Sequence, residues 1–211
     1  MEAIFDHHRP ELVFHAAAHK HVPLMEENAD EAIYNNIYGT QVTADLSSQF
    51  GVNKFVMIST DKVVNPTSIM GMTKKVAERY IRHMAGKSST QFITVRFGNV
   101  LGSNGSVIPL FQKQIERGGP VTITHPDMDR FFMVIPEAVQ LILQAGAFGS
   151  GGDLFMLEMG KPVKIVDLAK QIIQLAGYTP HKEIEIQFIG VRPGEKLSEE
   201  LVDIGESIFP T

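Results

Sequence analysis

The run Lys54-Phe55-Val56-Met57-Ile58-Ser59 is short and almost uninterrupted in its apolar character, the pattern of a strand buried on both faces. A strand of that kind needs helices above and below it. Helical stretches flank it at about 29 to 50 and 68 to 85, the first with Ala32, Ile33, Ile37, Val42 and Leu46 at helical spacing and Gly51 just past its end. Comparable strand signals lie at 12 to 18, opening on Leu12-Val13-Phe14, and at Phe92 to Phe97. Strand and helix alternate, which implies βα units on a mostly parallel sheet.

From Pro109 onward the elements shorten. Strands are expected at 121 to 124, 131 to 134, 154 to 158 and 184 to 189, and helices at 136 to 147 and 164 to 176. The expected fold class is therefore α/β. A doubly wound, Rossmann-like parallel sheet occupies 1–105, and a smaller α/β substrate lobe occupies 106–211. The strand at 12 to 18 reads as the fourth of a nucleotide-binding sheet. Such a domain opens with a strand, a glycine-rich turn and a helix N-terminus that holds a pyrophosphate, and none of these precedes it. The sheet is thus expected to lack its first three strands, on the order of 80 residues at about 30 per βαβ unit. An uncovered edge follows, and with it an expectation that the chain is silent alone unless a separate polypeptide carries the missing half.

Bulk properties exclude several classes. A formal charge of −5 over 211 residues argues against a nucleic-acid surface. The chain has no cysteine, which rules out disulfides and thiolate metal sites and favours a reducing cytoplasm. No apolar run reaches the roughly 18 residues of a membrane span. His15, His19 and His21 are close in sequence, but no carboxylate completes a ligand set at a fixed offset, so no metal is expected.

Chemistry concentrates at Ser59-Thr60-Asp61-Lys62, at the carboxyl end of a buried strand, where open parallel sheets bind ligands. Met70 and Lys74 follow, four apart on one helix face. Each feature alone has an ordinary explanation. Met and Lys at that spacing are a packed helix face, Thr-Asp-Lys is a cap or loop salt bridge, and Arg192 to Lys196 is a solvated turn. Their joint order carries the argument.

That order resembles the extended short-chain dehydrogenase/reductase superfamily, with methionine where its Tyr-x-x-x-Lys pair has tyrosine. Together with His15-Ala16-Ala17-Ala18-His19-Lys20, Arg96-Phe97-Gly98-Asn99, Gly105 to Pro109, Arg130-Phe131-Phe132-Met133 and Arg192-Pro193-Gly194-Glu195-Lys196, it is similar to the capsular-polysaccharide family of NAD-dependent UDP-N-acetylglucosamine 4,6-dehydratases. The resemblance implies polysaccharide biosynthesis, NAD as cofactor and a UDP-sugar as substrate. It implies Lys62 as the base at C5 of the sugar, Asp61 as the acid at C6, and Thr60 and Lys74 as aligning groups. Met70 cannot move a proton, so the first deprotonation falls to a water or to Asp61. His15, Ala16, Ala17, Lys20, Ser59 and Lys74 are implied on the cofactor side. Lys20, Asn99, Val107, Pro109, Arg130, Arg192 and Glu195 are implied on the UDP-sugar, the two arginines as forks for pyrophosphate and Glu195 for the ribose hydroxyls. Asp129, where the family has threonine, is expected to pair with Arg130. The acid and base need perturbed pKa values, which partial burial and each other's charge would supply. Relatives commonly form homodimers through the two long helices and often carry an N-terminal membrane anchor. The alternatives are a non-catalytic remnant that retains a UDP-sugar pocket, and a related epimerase or reductase, chemistries that usually keep the tyrosine.

Overall fold

The computed structural model describes residues 1–103 and 105–211. In chain order its first half contains α1 (Glu2–His8), β1 (Leu12–His15), α2 (Val22–Glu27), α3 (Ala29–Ala32), a π-helical stretch (Ile33–Tyr38) that runs into α4 (Gly39–Gln49), β2 (Lys54–Ile58), α5 (Ile69–Ala85) and β3 (Gln91–Arg96). There follow β4 (Asn99–Leu101), α6 (Val107–Glu116), β5 (Val121–Ile123), β6 (Asp129–Arg130), β7 (Phe132–Val134), α7 (Ile135–Phe148), β8 (Leu154–Met156), β9 (Val163–Lys164), α8 (Ile165–Leu175) and β10 (Ile186–Phe188).

The main sheet is parallel throughout, in the order β1-β2-β3-β8. Side chains alternate across it as the pleat requires. Phe55, Met57 and Phe92 pack on one face against Ala44 of α4 and Ala77 and Ile81 of α5. On the other, Val56 and Val95 meet Ala138 and Ala145 of α7. Burial on both faces explains the nearly continuous apolar runs. Lys54 Nζ fixes α7 by donating to the carbonyls of Gly146, Ala147 and Gly149 at 2.9, 2.9 and 3.1 Å, a cation at a helix C-terminus. β1 pairs only with β2 and leaves Leu12 and Phe14 exposed, the open edge that the sequence suggests.

A second core lies between α6, α8 and the parallel β5–β10 pair, where Phe111, Ile115, Val121, Ile173 and Ile184 meet. The division expected at 105/106 is crossed by the chain. α7 and β8 come from the second half yet complete the main sheet and cover it, so the two layers interleave. The strand expected over 12 to 18 ends at His15, because Asn36 then captures the backbone, accepting from His19 N at 2.7 Å and donating to its carbonyl at 3.1 Å. Helix α6 lies where the sequence reading assigns no element. Its Pro109 is the third helical residue, where a missing N–H leaves no hydrogen bond unmade. No helix among the described residues is long and apolar enough to cross a membrane.

One buried ion pair locks β3 to α5. Arg96 Nε donates to Glu78 Oε1 at 2.9 Å and its NH2 to Oε2 at 2.7 Å, with both side chains under a tenth exposed. NH1 reaches Glu206 at 2.7 Å. Burial disfavours the guanidinium charge, but the bonds to Glu78 and Glu206 outweigh it and hold the pKa above the ordinary arginine value. Removing one partner of such a pair leaves a buried charge uncompensated. Glu78→Gln should lower the unfolding free energy by about 3 kcal/mol in urea titrations. Glu206→Gln, at the half-exposed end, should cost under about 1 kcal/mol, and equal losses would contradict this assignment.

Candidate active site

A cavity of about 490 Å³ opens beyond the carboxyl ends of β1, β2 and β3 and is closed on its far side by the second lobe. Its sheet-side wall holds Ser59, Thr60 and Lys62, with Met70 and Lys74 from α5 and Ala16 and Lys20 from the loop after β1. Asn99, Val107 and Arg130 line it further along, and Arg192 and Glu195 reach it from the late turn. Twelve of the expected residues are thus brought together. His15, Ala17, Asp61 and Pro109 are not on the wall.

Asp61 stands behind the wall, fully buried, in a 3-10 turn over Asp61–Val63. Thr60 caps that turn by accepting from Lys62 N at 3.4 Å, and its hydroxyl donates to Asp61 Oδ1 at 2.8 Å. Cap and functional contact are the same residue. Lys62 Nζ donates to Asp61 Oδ1 at 3.0 Å and to Asn99 Oδ1 at 3.0 Å, so β2 and β4 both hold it. Asp61 Oδ2 has no protein partner among the described residues. A Cβ on Gly98 would lie 3.2 Å from that oxygen and 3.0 Å from Phe131, tighter than most real contacts, which explains the glycine.

Met70 is buried beside Met25 and Ala32 while also facing the cavity. One turn on, Lys74 Nζ donates to the Ile58 carbonyl at 2.8 Å. Burial lowers the Lys74 pKa to about 8, against an opposing pull from Glu78. His15 is held by Thr40 Oγ1 at 2.9 Å. Burial, and then the nearby Lys74 charge, lower its pKa to about 4. Lys20 Nζ donates to Ser103 Oγ at 3.3 Å, bridging the loops after β1 and β4.

Arg130 differs from expectation. Its NH1 donates to the carbonyls of Asp129 and Leu197 at 2.6 and 3.1 Å, and its NH2 to that of Lys196 at 2.9 Å. The fork clamps the late turn, so it is not an open receptor for phosphate. The Asp129 carboxylate does not pair with it either; it lies 3.8 Å from Lys164 across the β6–β9 pair. Arg192 is exposed, and its backbone N–H donates to Glu195 Oε2 at 3.3 Å. Gly194, at φ 78°, turns the chain where a Cβ would lie 2.7 Å from Glu26 Oε1.

Glu199 was not legible in the sequence. It is buried on the cavity wall, with Oε1 3.7 Å from Lys62 Nζ and 3.8 Å from Arg130 Nε. The only sequence signal is a carboxylate four residues past Glu195, in a run of acidic residues that reads as solvated surface.

A parallel sheet covered on both faces, with a cleft beyond its carboxyl ends and a Thr-Asp-Lys turn at the rim, is the Rossmann-like architecture of extended short-chain dehydrogenases/reductases. The solved structure of Pen from Bacillus thuringiensis superposes with a TM-score of 0.85 at 41% identity, over 90% of this chain and 60% of that one. The chain belongs to the polysaccharide biosynthesis protein family, whose model matches residues 1–210. It is 59% identical to the capsular polysaccharide biosynthesis protein CapD of Staphylococcus aureus, over 96% of this chain and 34% of that protein. A UDP-N-acetylglucosamine 4,6-dehydratase (inverting) of Campylobacter jejuni is 38% identical over 93% of this chain and 58% of its own length. The chain therefore spans between a third and three fifths of these relatives.

His15 makes folding depend on pH. Its folded pKa is depressed, so between about pH 6.5 and 4 the unfolded imidazole binds a proton that the folded one does not, and stability falls as pH drops through that window. From pH 7 to 5 the wild type should lose about 2 kcal/mol more than His15→Gln in urea unfolding. Equal losses would show that the imidazole titrates normally.

Proposed function

We propose that this cleft carries out the 4,6-dehydration of a UDP-N-acetylhexosamine, UDP-N-acetylglucosamine foremost, to a 4-keto-6-deoxy sugar nucleotide for polysaccharide biosynthesis. The observation that carries the reading is one cavity wall joining Lys62, hydrogen-bonded to a buried carboxylate, with Arg192 and Glu195 of the late turn. The named activity of the 38% identical Campylobacter relative supports the same chemistry.

The residues present fit the nicotinamide end of NAD. Ser59 Oγ is buried on the cavity side without a protein partner, Ala16 and Ala18 leave room beside it, and Lys74 stands ready for ribose hydroxyls. NAD, when bound, supplies the oxidation at C4 that acidifies the C5 proton and the hydride that ends at C6.

Within the cleft, the proton of the C4 hydroxyl passes to Asp61 through the Thr60 hydroxyl, which lines the wall and donates to Asp61 Oδ1. Asp61 returns that proton, through the same Thr60 hydroxyl, to the C6 hydroxyl, which departs as water. Lys62, in its neutral amine form, takes the C5 proton and later restores it to carbon. Met70 supplies no proton and packs the wall where the sugar lies. Arg192 faces the phosphates and Glu195 the ribose, while Asn99 keeps the Lys62 amine aimed.

The test is proton NMR of the product formed from UDP-N-acetylglucosamine and NAD by the chain mixed with the glycine-rich N-terminal half of a relative's nucleotide-binding domain. A 4-keto-6-deoxy product is expected, with kcat falling about 10²- to 10⁴-fold in Lys62→Met and in Asp61→Asn. A C4 epimer would replace dehydration by epimerisation, and tight UDP-sugar binding without any product would favour a non-catalytic remnant.

A further inference from the structure

Glu199 is placed with more care than a surface carboxylate needs. The chain after the late turn crosses from the second lobe to α5 and β3, and each of its acidic residues meets a partner on the main domain. Glu200 accepts from Asn65 at 2.5 Å, Asp203 pairs with Lys75, and Glu206 pairs with Arg96 at 2.7 Å. Leu201 packs against the core under α7. Held from both ends, Glu199 enters the cleft with its side chain 4% exposed.

Its two oxygens differ. Oε1 lies between two cations, 3.7 Å from Lys62 Nζ and 3.8 Å from Arg130 Nε. Oε2 is buried with no protein partner among the described residues. Two carboxylates, Asp61 and Glu199, thus face two cations, Lys62 and Arg130, and the cluster is neutral when all four are charged. An ammonium has three N–H donors. Asp61 and Asn99 take two of those on Lys62, and the next acceptor group near the ammonium is Glu199, at ion-pair distance, 3.7 Å. Without Glu199, Lys62 would keep its two hydrogen-bond acceptors and lose the second carboxylate that faces it.

We propose that Glu199 is a positioning residue that acts through Lys62 to set where the hexose of the sugar nucleotide is held. This rests on the UDP-sugar reading of the cleft. Arg130 links the same carboxylate to the late turn, because its fork binds the carbonyls of 196 and 197. Glu199 thus stands between a side chain of the sheet rim and one of the second lobe.

Calorimetry with UDP and with UDP-N-acetylglucosamine tests this without requiring turnover. Wild type, Glu199→Gln, Lys62→Met and the double variant are compared. Wild type should bind the sugar nucleotide more tightly than UDP. Glu199→Gln should lose roughly tenfold of that preference, a size usual for neighbouring charged groups, while its UDP affinity is unchanged. In the Lys62→Met background Glu199→Gln should have no further effect. Equal weakening of both ligands, simple additivity of the two substitutions, or a preference left intact would each overturn the proposal. If Glu199→Gln does not fold, as a thermal midpoint would reveal, Glu199→Asp draws the carboxylate back from Lys62 and is read by the same criteria. Wild type that binds neither ligand would instead refute the UDP-sugar reading itself, and the role of Glu199 with it.

Discussion

A carboxylate with no solvent exposure stands at the end of β2, and the cleft is arranged around it. Taking an ionised Asp61 out of water carries a penalty of several kcal/mol unless donors and an opposite charge are close. Thr60 and Lys62 meet that requirement from its own turn, at 2.8 and 3.0 Å. The same requirement fixes the Lys62 amine, which would otherwise sample many rotamers at the rim. Asn99 and Glu199 complete its surroundings from elements distant in sequence. An amine held this way has little rotamer freedom left to lose, which is the physical meaning of preorganisation.

The second dependence is between the lobes. The main sheet alone would leave its carboxyl ends open to water. Arg130, clamping the late turn by the carbonyls of Lys196 and Leu197, and Lys196, donating to the Val64 carbonyl at 2.9 Å, close the cavity from the other side. The acidic segment beyond then returns to α5 and β3 and ties both to the lobe. Arg96, Glu78 and Glu206 share this junction, so the stability of β3 and the seating of the cleft's far wall rest on one charged network.

Much of the architecture could be read from the chain. Continuous apolar runs such as Phe55 to Ile58 announced a sheet covered on both faces, and the ordered motifs from Thr60 to Glu195 marked a single cleft. Less visible was anything that depends on partners far apart. A run of Glu and Asp near 199 to 206 looks solvated until Lys62, Lys75 and Arg96 are known to lie beneath it. Arg130 looks like a phosphate fork until backbone carbonyls are found on it. β8 looks like part of a second lobe until it is seen beside β3, since a three-residue strand carries no signal of which sheet it will join.

The sequence by itself determined the α/β class, the family and which residue types stand at the rim, because hydrophobic periodicity and motif order are local properties. Tertiary structure decided that Asp61 lies behind the wall, bonded to Thr60 and Lys62, that Arg130 holds the protein rather than an open site, and that Glu199 belongs to the cleft. Those outcomes depend on burial and on charges brought together across more than a hundred residues. Such long-range neighbours exist only once the chain has closed on itself.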